Sequence, residues 1–152
     1  MKFVSIEMPV EVDPDGLSPE AKRALSIYTE IDESHYFKVD NPLHQNQLLG
    51  DFVDRETYGA VDEDGQLQGI SLYIPSEDAP YGWIEGLAVH PESRRKHVGS
   101  FLVQNMAVAR LDGKERLGLM STRSASGFWI GQGFTHAGVA DVSDDLGMSL
   151  EI

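Results

Sequence analysis

Residues 83 to 100 read Trp-Ile-Glu-Gly-Leu-Ala-Val-His-Pro-Glu-Ser-Arg-Arg-Lys-His-Val-Gly-Ser. A short apolar run from Trp83 to Val89 has the length of a buried strand. Pro91 ends it, because proline cannot donate to a continuing ladder. A basic loop follows. From Ser93 to Ala109, apolar side chains then recur at helical spacing, with Val98, Phe101, Leu102, Met106 and Ala109 on one face. A strand that feeds a helix through a tight basic loop commits the chain to a mixed α/β architecture.

The rest of the chain fits that frame. Residues 3 to 12 alternate loosely, as a first strand would. Asp13-Pro14-Asp15-Gly16 signals a turn. Ser18 then serves as N-cap and Pro19 as first residue of a helix that buries Leu25, Ile27, Tyr28 and Ile31. A second, short helix is expected over Gln45 to Asp54, with Leu48, Leu49, Phe52 and Val53 turned inward. Thr57 to Asp62 and Gln66 to Ile74 flank an Asp-Gly turn and read as a hairpin. Leu117 to Ser121 is a further buried strand. Ser124 to Gln132 reads as a helix capped by Ser124 and closed by Gly133. Phe134 to Val139 and Met148 to Ile152 read as final strands. No repeat or linker divides residues 1 to 152, so one domain is expected.

Charge is distributed unevenly. The net charge is −13, yet residues 92 to 123 carry +4 in a chain otherwise at −17. An acidic chain is a poor general binder of nucleic acid. A local basic cluster within it suits a particular anion, the alternative being an ordinary solvated helix face. The placement of Arg94, Arg95 and Lys96 favours the anion. A helix N-terminus presents unpaired N–H groups and about half a positive charge. Gly99 and Ser100 permit close approach to that backbone. No apolar run approaches the roughly 20 residues of a membrane span. The N-terminus lacks the apolar stretch of a secretion signal. The absence of cysteine excludes disulfides and thiolate metal sites and suits a cytoplasmic protein. His35 and His44 match no metal-ligand spacing, and no metal is expected.

These residues carry a resemblance. Arg94-Arg95-Lys96-His97-Val98-Gly99, after Leu87-Ala88-Val89-His90-Pro91, resembles the main motif of the GCN5-related N-acetyltransferase (GNAT) family, Arg/Gln-x-x-Gly-x-Gly/Ala. Downstream, Phe128-Trp129-Ile130-Gly131-Gln132-Gly133-Phe134 resembles the family's Phe-Tyr-x-x-x-Gly-Phe, with Thr122 and Ala125 where the family has Asn and Ala. The likeness covers roughly residues 57 to 140. It implies a twisted mixed sheet, flanked by helices, whose fourth and fifth strands splay apart. It implies acetyl-CoA as co-substrate, its pyrophosphate on Arg94, Arg95, Lys96, His97, Val98, Gly99 and Ser100. The pantetheine would then lie along Leu87, Ala88 and Val89, with Thr122 and Trp129 beside it. It implies direct acetyl transfer to an amine of a small molecule or a protein. Family members often dimerise, so a homodimer is one expectation.

The departures shape the chemistry expected. His97 holds the first Gly position of the motif and either touches a phosphate or is a tolerated exposed side chain. Trp129 replaces a Tyr that commonly protonates the leaving thiolate. An indole N–H cannot act as that acid, so Trp129 packs beside the cofactor or fills the core. Glu85 is the candidate base. Its sequence neighbours are apolar, which would raise its pKa, and strand alternation would set it on one face with Leu87 and Val89. The alternative is a structural carboxylate paired with an Arg. Tyr36, Tyr73, Tyr81, His35 and His44 are candidates for the acceptor side. A different reading, a module that binds acetyl-CoA without turning it over, draws on Trp129 and His97.

Overall fold

The computed structural model describes residues 1–10, 17–29, 49–75, 81–110, 116–121, 123–139 and 146–151. The expected residues Ile31, His35, Tyr36, His44, Leu48 and Thr122 lie outside them. The strands are β1 (Lys2–Ile6), β2 (Glu56–Val61), β3 (Leu67–Ile74), β4 (Tyr81–Val89), β5 (Arg116–Ser121), β6 (Thr135–Val139) and β7 (Leu146–Glu151). The helices are α1 (Pro19–Thr29), α2 (Val98–Arg110) and α3 (Ser126–Gly131), with short 3-10 turns at Gly50–Phe52, Pro91–Ser93 and Arg123–Ala125. The strands form one sheet in the order β1-β2-β3-β4-β5-β7-β6. Every pairing is antiparallel except β4 with β5. The fold is the mixed α/β arrangement expected.

The local signals act as read at several points. Ser18 caps α1: its Oγ accepts from the Ala21 N–H at 3.2 Å, and its carbonyl accepts from Lys22 at 3.0 Å. The β2–β3 turn is held by Asp62, whose Oδ1 accepts from the N–H groups of Asp64 and Gln66, both at 2.9 Å. Gly65 there has φ of 80°, open to glycine at little cost. Gly133, at φ 96°, closes α3: its N–H reaches Ile130 O at 2.9 Å, and Phe134 N–H reaches Trp129 O at 3.0 Å.

Other boundaries move. β1 stops at Ile6 rather than residue 12. The expected helix from Ser93 begins only at Val98, because Pro91–Ser93 form a 3-10 turn and Arg95 and His97 take positive φ. Ser124 lies in the preceding 3-10 turn, and Ala125 holds the N-cap position of α3 without a side-chain cap of its own. Within the second helix expected, residues 45–48 lie outside the described residues; Leu49 is helical, Gly50–Phe52 form a 3-10 turn, and Leu49 and Phe52 point inward as expected.

The sheet is covered on both faces. On one, Ala21, Ala24, Leu25 and Ile27 of α1 pack with Ile70 and Leu72. On the other, α2 lies so close to β3 that a Cβ on Gly69 would stand 2.8 Å from Val98 Cγ1 and 3.0 Å from Leu102 Cδ1. Trp129 and Phe134 join Val103, Met106, Leu117 and Leu119 on that second face.

Two outcomes follow from this packing. Gly69→Ala will lower stability by about 1–3 kcal/mol through overpacking beneath α2, read by thermal unfolding. The Asp62 carboxyl is held below its ordinary range by the Gln66 N–H first, then by the Gln68 side chain and the Asp64 N–H. A carboxyl held down in the folded state stabilises above its unfolded pKa and loses that contribution as pH falls through its folded pKa. The stability gap between wild type and Asp62→Asn will therefore be full at neutral pH and shrink below about pH 4 in denaturant titrations.

Candidate active site

The β4–β5 ladder is short. It runs from Tyr81↔Arg116 to Ile84↔Leu119 and stops there. Beyond it, β5 continues to Ser121 paired with β7, and β4 continues to Val89 paired with β3. The strands part, as the resemblance implied, and the edge of β4 from Glu85 to Val89 that faces β5 has no strand partner among the described residues. A backbone edge of this kind presents N–H and C=O groups that must find water or an extended ligand.

A bulge lies at the point of parting. Leu72 pairs with Gly86 and Tyr73 with Ile84, so Glu85 is the extra residue on β4. The bulge overturns the expected alternation. Ile84 and Leu87 both face α2, in contact with the apolar clusters beneath it. Gly86 and Ala88 face α1: a Cβ on Gly86 would stand 3.1 Å from the Tyr28 ring, and Ala88 packs with the α1 cluster. Glu85 shares this second face rather than that of Leu87 and Val89.

Glu85 is not enclosed by apolar neighbours either. Its side chain is 38% exposed, and Oε1 stands 3.9 Å from Arg55 Nη2. Oε2 accepts from Trp83 Nε1 at 3.3 Å. The Arg partner belongs to the structural alternative read from the sequence, but the exposure leaves the carboxylate open to a second group. Tyr28, read from the sequence only as core, has its hydroxyl beside this cluster. Burial raises its pKa, as do the charges of Asp51 and Glu85, against Arg55. It therefore keeps its proton at neutral pH and offers a donor. Of the other acceptor-side candidates, Tyr73 is 1% exposed and fills the core. Tyr36, His35 and His44 lie outside the described residues, as does the side chain of Tyr81.

At the far end of β4, the chain is pinned before it enters α2. His90 N–H donates to Gln68 O at 2.8 Å, and His90 Nδ1 accepts from Glu92 N–H at 3.2 Å. Buried Ser93 donates to Gln68 Oε1, and Gln68 Nε2 donates to Asp62 Oδ2 at 2.7 Å. Gln68 and Ser93 thus tie the basic loop to the β2–β3 turn. Neither carries a motif, and only the pairing of strands brings them together.

Arg94, Arg95, Lys96 and His97 are all exposed. The first backbone bond of α2 runs from Phe101 N–H to His97 O at 3.0 Å. The N–H groups of Val98, Gly99 and Ser100 are therefore the free first-turn donors of that helix. The side chains differ in what they do. Val98 is buried under the sheet. Gly99 makes room for Phe128, whose Cζ would stand 3.0 Å from an added Cβ. Ser100 Oγ accepts from Gln132 Nε2 at 2.8 Å, joining the start of α2 to the end of α3. Trp129 is 6% exposed and edge-on to Phe128 at 4.9 Å and to Phe134 at 5.3 Å.

His97 has φ of 63°, at the position where the family motif has its first Gly. Left-handed backbone costs an L residue roughly 1–2 kcal/mol. His97→Gly will accordingly stabilise the fold by ~0.5–1 kcal/mol after the entropy cost of glycine, measured by denaturant unfolding.

Comparison with known proteins agrees with this geometry. A profile of the acetyltransferase (GNAT) family matches residues 22–134. A search of curated proteins finds no match. Among solved structures, nourseothricin acetyltransferase is 28% identical with a TM-score of 0.56, over 65% of this chain and 66% of that one. The chain thus spans just under two thirds of that relative's length. An aminoglycoside 6'-N-acetyltransferase complexed with coenzyme A has a TM-score of 0.71 at 15% identity, over 99% and 97% of the two chains. Tetrahymena GCN5 has a TM-score of 0.68 at 15% identity, over 100% and 96%. The last two share the fold, and the family profile spans most of the sequence. The chain belongs to the GNAT family of acetyltransferases.

Proposed function

We propose that this protein transfers an acetyl group from acetyl-CoA directly to a primary amine. The observation that carries the proposal is the early end of the β4–β5 ladder, immediately beside a basic loop with free helix N–H groups. The residues present fit the co-substrate. The open edge at Leu87, Ala88 and Val89 can pair with the amides of an extended pantetheine arm. The N–H groups at Val98, Gly99 and Ser100, with Arg94, Arg95 and Lys96, suit a pyrophosphate. His97 is exposed beside them, and Thr122 is assigned to the pantetheine from the family motif alone.

Bound there, acetyl-CoA supplies an activated acyl group. Backbone N–H groups on the open side of β4 near Leu87 polarise its carbonyl oxygen. Glu85, on the bulge, takes the proton of the incoming amine directly or through water. The nitrogen bonds to the acetyl carbon, and the carbon–sulfur bond breaks. The departing thiolate is a good leaving group, so no residue need replace the Tyr exchanged for Trp129. The acidic remainder of the chain concentrates cationic acceptors and disfavours nucleic acid.

Free-thiol release from acetyl-CoA tests this, with putrescine, spermidine, lysine and a lysine peptide as acceptors. At least one amine will support turnover, and Glu85→Gln will lower kcat by about 100-fold while CoA affinity by calorimetry stays unchanged. Tight acetyl-CoA binding with no release for any amine would instead identify a non-catalytic binding module. Unchanged turnover in Glu85→Gln across the pH range would remove Glu85 as base.

A further inference from the structure

A glutamate with 38% of its side chain exposed ordinarily samples several rotamers, and a general base must hold one orientation toward its proton. Two neighbours restrain Glu85, one at each carboxylate oxygen. Trp83 Nε1 donates to Oε2 at 3.3 Å. Arg55 Nη2 stands 3.9 Å from Oε1, too far for a hydrogen bond but close enough to act through its charge.

Each neighbour is anchored in a different part of the fold. Trp83 pairs with Gly118 in the penultimate rung before β4 and β5 separate. Its ring lies over that glycine, where an added Cβ would stand 3.1 Å from both Cε3 and Cζ3. Arg55 leaves the turn before β2. Its Nη1 donates to Val53 O at 3.0 Å, its backbone N–H donates to Phe52 O at 3.2 Å, and its Nε is buried. The preceding Asp54 has φ of 58°. An exposed ion pair contributes little to stability. The arrangement is therefore better understood by what it does to the carboxylate than by what it adds to folding.

We propose that Trp83 and Arg55 are positioning residues that clamp the Glu85 carboxylate toward the acceptor amine, one at each oxygen. The clamp rests on the assignment of Glu85 as base. It also links the base to the β4–β5 separation, because Trp83 rides on Gly118 of β5.

The test is a set of double-mutant cycles on the full chain, with the panel amine that gives the fastest thiol release. Trp83→Phe keeps a ring over Gly118 and removes the indole N–H. Arg55→Met removes the charge, and Arg55→Lys restores it. Trp83→Phe and Arg55→Met will each lower kcat roughly tenfold, with KM for acetyl-CoA and calorimetric CoA affinity unchanged. Arg55→Lys will recover part of the loss. In a Glu85→Gln background, either change will alter kcat by less than about twofold, because the group they aim is gone. Full, additive losses in that background, or wild-type kcat in both single variants, overturn the clamp. If Arg55→Met fails to fold, the Trp83→Phe cycle decides the matter. Wild-type turnover in Glu85→Gln overturns the base assignment itself. A slow Glu85→Gln beside undiminished Trp83→Phe and Arg55→Met variants overturns the clamp alone.

Discussion

The rest of the site depends on one constraint: among the described residues, β4 and β5 share four rungs of backbone pairing, which end at Ile84 and Leu119. Neither strand is released from the sheet where they part. β5 keeps β7 along its whole length, and the far part of β4 keeps β3. The gap therefore opens between two halves that each stay paired. Backbone N–H and C=O groups on such an edge require partners. In a sheet that must also avoid pairing with other chains, an opening between two covered halves is a protected place to leave them.

The Glu85 bulge divides the chemistry by face. It returns Leu87 to the face of Ile84, so the apolar side chains of β4 continue beneath α2. It leaves Glu85 and Gly86 on the α1 face, next to Tyr28. In the proposed reaction, the strand edge serves the acyl donor while the α1 face serves the amine. The basic loop is held at the end of the same strand by Gln68 and Ser93. The start of α2 is joined to the end of α3 across the opening by Ser100 and Gln132. Glu85, the open edge and the loop are all fixed relative to β4.

Where the sequence was legible, the reason is local. Ser18 and Pro19 start α1, Asp62 and Gly65 shape the hairpin, and Gly133 closes α3, because each acts within a few residues of itself. The family motifs were legible for the same reason: strand, proline, basic loop and helix are contiguous. Two readings failed where a local rule met a longer-range one. The helix expected from Ser93 starts at Val98, because Ser93 is drawn toward Gln68, 25 residues away. The alternation expected for Glu85 fails because a bulge is a property of two strands. The place of Trp129 has the same cause, because its packing depends on Phe134 and the other side chains that reach the α2 face.

By itself the sequence determined the order and type of the elements, the family, and the contiguous loop from Arg94 to Ser100, because those rest on periodicity, turn chemistry and charge read along one chain. Only the tertiary structure decided that the β4 edge stays open beyond Ile84 and that Glu85 faces α1. It alone placed Trp83 and Arg55 at that carboxylate. Those outcomes depend on which strands pair and where the pairing stops, and hydrogen bonds between residues far apart in sequence leave no local signature.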